Sequence, residues 1–394
     1  MPVQIKITDI TCLVVNAGRR NWVLVKVKTD QDGLYGWGEG TLEWKTRSVV
    51  AAVEDLKPVL IGHDPRDVDQ MVRRMLKFSF WPQGPIGMTA VSAIEHALWD
   101  IFGKSVGLPV WRLLGGKARD SVNVYTHLGL GKAESVYGVR DKHQLAELGQ
   151  AVIESGYNAM KVLLLPLSHY TASAKDIDEV GASMQCLREA VGPDTEIMVD
   201  FHGRPASVAL AVQYIHALDP FRPLFVEEPI QPGDARAMRD VSIQVKTPIA
   251  TGERLIRIKE FESLFTERAV SIVQPDLCHC GGLSMARRIA AMAEVALIGV
   301  APHNPAGPVA TAVALHFAVS TPNFVIQEEM TGAVPWFNDV VDSPIKRVNG
   351  AWQLPDCIGL GVEVNESEAR KHPYIPEDWK AAESILADGT IVDR

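Results

Sequence analysis

At 394 residues, 47% hydrophobic and 22% charged, the chain has the make-up of an ordinary globular protein. It is long enough for a (β/α)8 barrel of ~250 residues plus a smaller domain. A formal net charge of −9 argues against nucleic acid or an anionic membrane as the main partner. No apolar stretch approaches the ~20 residues of a membrane span.

The opening MPVQIKITDI reads as a strand rather than a targeting segment. Five scattered cysteines, Cys12, Cys186, Cys278, Cys280 and Cys357, suit a reducing compartment, so a cytoplasmic location is expected. The cluster Cys278-His279-Cys280 lacks a second ligand pair at finger-like spacing and reads as packing rather than a zinc site. The first ~40 residues alternate with the period of strands, in VQIKITDITCLVV and WVLVKVKT. Asp32-Gly33 supplies a hairpin turn before LYGWGEG. Between 87 and 103, Val91, Ile94, Leu98 and Ile101 recur at helical steps, and Gly115-Gly116 ends the pattern. Residues 1–120 therefore read as an α+β domain.

From about 121 the rhythm becomes strand–helix alternation. Eight candidate strands follow one another: VNVYTH, AMKVLLL, EIMVDFH, LFVEEP, IATGE, VSIVQPD, IGVAPH and FVIQEE. Eight alternating units predict a closed parallel barrel; an open doubly wound sheet would want a glycine-rich nucleotide fingerprint after a strand, and none is there. The expected fold is thus α/β, a (β/α)8-type barrel (a modified TIM barrel) over residues 121–354. The N-terminal α+β domain caps it, and the tail 355–394, with its glycine-rich strand signal IGLGVEV, returns to complete that cap.

Three strands in succession end in acids: Asp200, Glu227 and Glu253, spaced 27 and 26 residues apart. Consecutive strand ends are neighbours on one rim, so the three carboxylates should converge. Their mutual repulsion calls for a cation, most simply Mg²⁺, which prefers oxygen ligands. His202 shares a face with Asp200 and is left as a candidate acid. Asp276 and His303 close adjacent strands, and an aspartate that orients an imidazole makes a competent general base. Lys161 lies early in the second strand and Glu328 ends the eighth. His216 and His316, inside helical segments, read as ordinary packed or solvated residues.

The ordered set GWGE, ALWDIFGK, VDFHGR, FVEEP, TGER, QPDLCHCGG, APHNPAGP and GLGVE resembles the enolase superfamily, specifically its mandelate-racemase-like branch of sugar-acid dehydratases, over essentially the whole chain. The resemblance implies that Asp200, Glu227 and Glu253 hold Mg²⁺, the first glutamate of the EEP pair being the ligand. In such sites a His or Lys base acts with Mg²⁺, which stabilises the enediolate formed from an acid sugar. His303, oriented by Asp276, would remove the proton at C2. His202 would protonate the departing 3-hydroxyl, and Glu328 would hydrogen-bond a substrate carboxylate oxygen. The product would be a 2-keto-3-deoxy acid, with an aldonate such as D-galactonate the first candidate substrate. Lys161-Val162-Leu163 departs from the Lys-x-Lys of many members, which disfavours racemisation; Lys161 would help to balance charge.

Substrate choice should lie with lid segments. These are Asn16–Trp22 with Arg19 and Arg20, residues 78–85 around Trp81, and loops 128–140 and 166–176. Other readings are epimerisation, dehydration of a tartrate or aldarate, or a non-catalytic member of the fold. The resemblance also implies a homo-oligomer.

Overall fold

The computed structural model describes residues 4–78, 80–138, 141–380 and 383–394. Strands β1 (Ile7–Ala17), β2 (Arg20–Thr29) and β3 (Tyr35–Glu39) form an antiparallel sheet. The helices α1 (Thr46–Leu56), α2 (Val68–Lys77) and α3 (Pro85–Val106) cover it. Alternation along β2 sends its side chains into two cores. Val23, Val25 and Val27 pack with Ile94, Leu98 and Ile101 of α3, whereas Trp22 and Leu24 join the large core of the barrel. The sheet is therefore a middle layer, which is why residues 22–25 of β2 are apolar on both faces. The glycines of GWGE have a steric reason. A Cβ at Gly36 would lie 2.1 Å from Ala97 O, and one at Gly38 1.9 Å from Ala93 O, so α3 can cross the sheet only here.

Eight parallel strands close the second unit: β4 (Ser121–His127), β5 (Ala159–Val162), β6 (Glu196–Asp200), β7 (Val226–Glu227), β8 (Ile249–Thr251), β9 (Ile272–Val273), β10 (Gly299–Val300) and β11 (Gln327–Glu328). They pair in chain order from β4 to β10, the Val300–Phe324 bridge joins β10 to the segment before β11, and β11 pairs with β4. All eight expected strands are present. Tyr125, Ala159, Met198, Phe225, Ala250, Ile272, Ala301 and Ile326, one from each strand segment, fill the interior. A hairpin of β12 (Arg347–Val348) and β13 (Ala351–Gln353) adds antiparallel to the start of β4.

The glycine-rich 358–364 stretch forms isolated bridges rather than a strand. It still docks on the cap: Val110 N–H donates to Gly359 O (3.0 Å) and Leu360 N–H to Asp100 Oδ1 (2.8 Å). Further on, Asn16 N–H donates to His372 O (2.8 Å), and Asn21 exchanges two hydrogen bonds with the Ile375 backbone. Buried acids of the cap also reach into the barrel. Glu39 accepts from Gly307 and Ala310 N–H at the start of the helix Pro308–Ser320, and Glu95 accepts from Leu283 and Ser284 N–H at the start of Gly282–Val295. Those orphan amides and the helix dipole favour negative charge there. Among the described residues no helix is long and apolar enough to cross a membrane.

Candidate active site

The C-terminal ends of β4 to β11 supply the site, as a parallel barrel requires. Asp200, Glu227 and Glu253 each offer an oxygen, and the three lie within 4.8 Å of one another. Two of the oxygens, Asp200 Oδ2 and Glu253 Oε2, are buried and reach no hydrogen bond of good geometry, only His202 Nε2 (3.2 Å) and Lys161 Nζ (3.4 Å) in the first case and His303 Nε2 (3.3 Å) in the second. Burial and the neighbouring Asp200 charge push the Glu227 carboxyl well above the usual range. This is the signature of carboxylates arranged around a cation, and an all-oxygen set fits a hard divalent ion. The second glutamate of EEP takes another path. Glu228 has φ +41°, and its carboxylate is held by Arg254 at 2.6 and 3.0 Å. The left-handed backbone turns it away, leaving Glu227 to face the cluster.

Lys161 is 1% exposed at its side chain and lies 2.9 Å from Glu227, 2.9 Å from Glu328 and 3.4 Å from Asp200. Burial alone would depress its pKa, but these carboxylates hold it well above the ordinary lysine value, so it is a buried permanent cation. Leu163, two residues on, is buried and offers no proton-transfer group.

His303 Nδ1 is 2.8 Å from Asp276 Oδ2, and its Nε2 is 3.3 Å from Glu253. Burial opposes its charge, yet Glu253, Glu328 and Asp276 raise its proton affinity well above the ordinary value. Asp276 is fixed by Cys278 N–H at 2.6 Å. His202 Nε2 is 3.2 Å from Asp200 Oδ2, and its pKa too is raised, by Asp200 against burial. Strand alternation does not bring it there: β6 ends at Asp200, and His202 has φ +54°, a strained conformation for a residue with a side chain. Its N–H donates to Asp200 Oδ1 at 3.0 Å. Glu328 accepts from Asn304 N–H (2.8 Å) and contacts His127 Nε2 (2.6 Å). Lys161, His303 and His127 hold its carboxyl well below the usual range despite burial, so it is ionised.

Lys161, Asp200, His202, Glu253, His303 and Glu328 line a cavity of about 200 Å³ that reaches up to the cap, where Arg20, Glu43, Trp44, Tyr137 and Arg394 form its mouth. Arg20 pairs with Glu43 at 2.6 Å and donates to Pro305 O at 2.6 Å. Arg19 does not line the cavity; it is exposed at the β1–β2 turn, its guanidinium 5.4 Å from the Tyr137 ring centre. Trp81 is a second correction. It is 76% exposed, packs edge-on against Phe80 (5.4 Å), and lines neither this cavity nor the adjoining one of about 350 Å³. Of segment 78–85, Pro85 reaches the adjoining cavity. Ser79 of that segment, and residues 139 and 140 of the 128–140 loop, lie outside the described residues. His216 is solvated beside Asp219, and His316 is buried on backbone partners, as expected.

Strand-by-strand reading passed over His127, although it closes VNVYTH by the same rule that singled out the others. His279, taken as packing, lies 3.6 Å from Asp276 and hydrogen-bonds Thr89 (2.9 Å). Tyr137, Glu43, Trp44 and Arg394 carry no sequence signal of their own.

Two family models match the chain: "Mandelate racemase / muconate lactonizing enzyme, N-terminal domain" over residues 3–115 and "Enolase C-terminal domain-like" over 144–368. The chain belongs to the enolase superfamily, in its mandelate racemase and muconate lactonizing branch, and is a dehydratase, an enzyme of the hydro-lyase class. D-galactonate dehydratases are among its relatives. That of Xanthomonas campestris pv. campestris is 34% identical, with 98% of this chain and 99% of that protein covered. That of Cronobacter sakazakii is 34% identical, with 94% and 96% covered. Among solved structures, an Agrobacterium radiobacter enolase described as a candidate galactarate dehydratase, with Na and L-malate bound, is 32% identical at a TM-score of 0.89, covering 99% of this chain and all of that one.

Proposed function

We propose that the chain dehydrates a sugar acid to a 2-keto-3-deoxy acid with Mg²⁺, D-galactonate being the first candidate. The observation that carries this reading is the placement of the two histidines. His202 contacts Asp200 after β6, His303 contacts Glu253 after β8, and Glu227 ends the strand between them. One imidazole thus flanks each side of the carboxylate cluster, the arrangement a 2,3-elimination needs. Asp200, Glu227 and Glu253 would hold the ion, which supplies Lewis acidity to a substrate carboxylate when bound. His303 Nε2 would accept the C2 proton, while Asp276 at Nδ1 keeps the ring in place and stabilises the imidazolium. His202 would give a proton to the departing 3-hydroxyl, which leaves as water; the enol then tautomerises to the ketone. Lys161 and Asn304 N–H keep Glu328 ionised and fixed at the floor of the cavity. With Leu163 where a second base would stand, dehydration is better supported than racemisation.

Dehydration of a diacid is the second reading, favoured by the Agrobacterium radiobacter relative described as a candidate galactarate dehydratase and by the arginines at the mouth. The test is a panel of aldonic and aldaric acids with Mg²⁺, read as 2-keto-3-deoxy product, with His303→Asn as control. Turnover that is equal in the control would refute the assignment of the base.

A further inference from the structure

One residue of the cavity wall, Arg394, comes from neither the barrel strands and their loops nor the N-terminal capping domain. Residues 383–394 fold back in a short antiparallel turn, with Ile385 bridged to Ile391, Leu386 N–H donating to Thr390 O (2.9 Å) and Val392 N–H to Ser384 O (3.0 Å). The turn delivers Arg394 to the cavity. Its guanidinium carbon lies 5.1 Å from the Tyr137 ring centre and 5.4 Å from that of Trp44. Two aromatic groups from different units, one a barrel loop and the other the loop after β3, therefore position one guanidinium.

Position along the cavity gives this residue a task. The Tyr137 ring centre is 6.1 Å from that of His202, and Arg394 lies against the same tyrosine. Tyr137 is thus within reach of both His202 and Arg394, and all three line the same cavity. If His202 serves the 3-hydroxyl, groups beyond it meet carbons beyond C3. A guanidinium offers several planar donors and no acceptor, suited to hydroxyl or carboxylate oxygens, and aromatic packing lowers the entropy lost when it binds them. Arg20, tied to Glu43 and Pro305 O, forms the wall beside it.

We propose that Arg394 is a specificity-determining residue that holds the distal oxygens of a six-carbon acid sugar. This rests on the dehydratase reading above and adds the residue that selects chain length. The experiment compares kcat/KM for a six-carbon acid (D-galactonate and galactarate) with that for a four-carbon acid sharing C1 to C3 (threonate or tartrate). It uses the full chain with Mg²⁺ as wild type, Arg394→Ala and Arg394→Lys. The preference for six carbons over four should fall by ~10-fold in Arg394→Ala, as loss of a charge-assisted hydrogen bond implies, chiefly through KM. Arg394→Lys should recover part of it.

An unchanged preference overturns the proposal, even if both activities fall together, because a merely structural role would lower both alike. Calorimetric titration of the same acids into Mg²⁺-loaded His303→Asn, with and without Arg394→Ala, reads the same preference without turnover. If the wild type neither binds nor converts any acid sugar, the dehydratase reading fails and this inference with it. If it converts them and the preference ignores Arg394, only the inference fails.

Discussion

Two groups of buried carboxylates invite comparison, one at the seam between cap and barrel and one at the barrel rim. At the seam, Glu95 accepts from Leu283 N–H, Ser284 N–H, Ser284 Oγ and Trp99 Nε1. Glu39 accepts from two amides and Thr41, and Asp100 from two amides and Lys104. At the rim, the buried oxygens Asp200 Oδ2 and Glu253 Oε2 have no donor of good hydrogen-bond geometry and meet only the side chains of His202 and Lys161 in the first case and His303 in the second. Burial raises the carboxyl pKa of Glu39, Glu95 and Asp100 as it does that of Glu227. What differs is the compensation: chiefly backbone and neutral side-chain donors at the seam, with Lys104 beside Asp100 the exception, and lysine and histidine side chains at the rim. The seam holds the two units together; the rim is built to bind and react.

The sharpest separation of the two regions is catalytic. His303→Asn should lower kcat by ~10⁴-fold, the upper end of the range for a general base, while leaving the urea midpoint nearly unchanged; turnover within tenfold of wild type would count against its role. Glu95→Ala should do the reverse. It strands two helix amides and two side-chain donors, so a loss of about 3 kcal/mol is expected in urea unfolding, with kcat retained in the folded fraction. A loss under about 1 kcal/mol would mean that water or a local shift satisfies those donors.

Metal should stabilise the protein only through the rim. At 100 times its dissociation constant, Mg²⁺ would add about 2.7 kcal/mol. The gain should persist in Glu95→Ala and vanish in Asp200→Asn; a gain untouched by Asp200→Asn would place the ion elsewhere.

The smallest effect concerns pH. Burial pushes the Glu95 carboxyl up to about 7 from an ordinary value of 4.5. Below 4.5 both folded and unfolded chains hold this proton, so its contribution is complete there. As pH rises to about 7 the unfolded chain releases the proton first, and stability falls by at most ~1.4 kcal/mol per unit. Wild type minus Glu95→Gln should show that slope and flatten above 7; parallel profiles would show that Glu95 folds already ionised.

Legibility in the sequence followed periodicity. The eight strands and the three acids at their ends obey short-range rules, so each could be placed before any contact was known. The Asp276–His303 pair was legible because adjacent strands bring their ends together. His202 reached its expected place by another route, a left-handed backbone at φ +54° that no pattern announces. Trp81 misled because an aromatic in a lid segment looks like a binding residue, whereas its ring packs on Phe80 and faces solvent. His279 was discounted by the ligand arithmetic of its neighbouring cysteines, although its contact is with Asp276.

By itself, then, the sequence determined the order of units, the closed barrel and the identity of its rim carboxylates, because strand period and strand ends are local properties. Only the tertiary structure decided what meets those carboxylates from afar. Lys161 among three acids, His127 on Glu328, Glu39 and Glu95 on the starts of barrel helices, and Arg394 between Trp44 and Tyr137 are encounters across long sequence separations. They depend on how two units and a returning tail dock, and that docking is set by the summed burial of apolar faces rather than by any motif near the residues themselves.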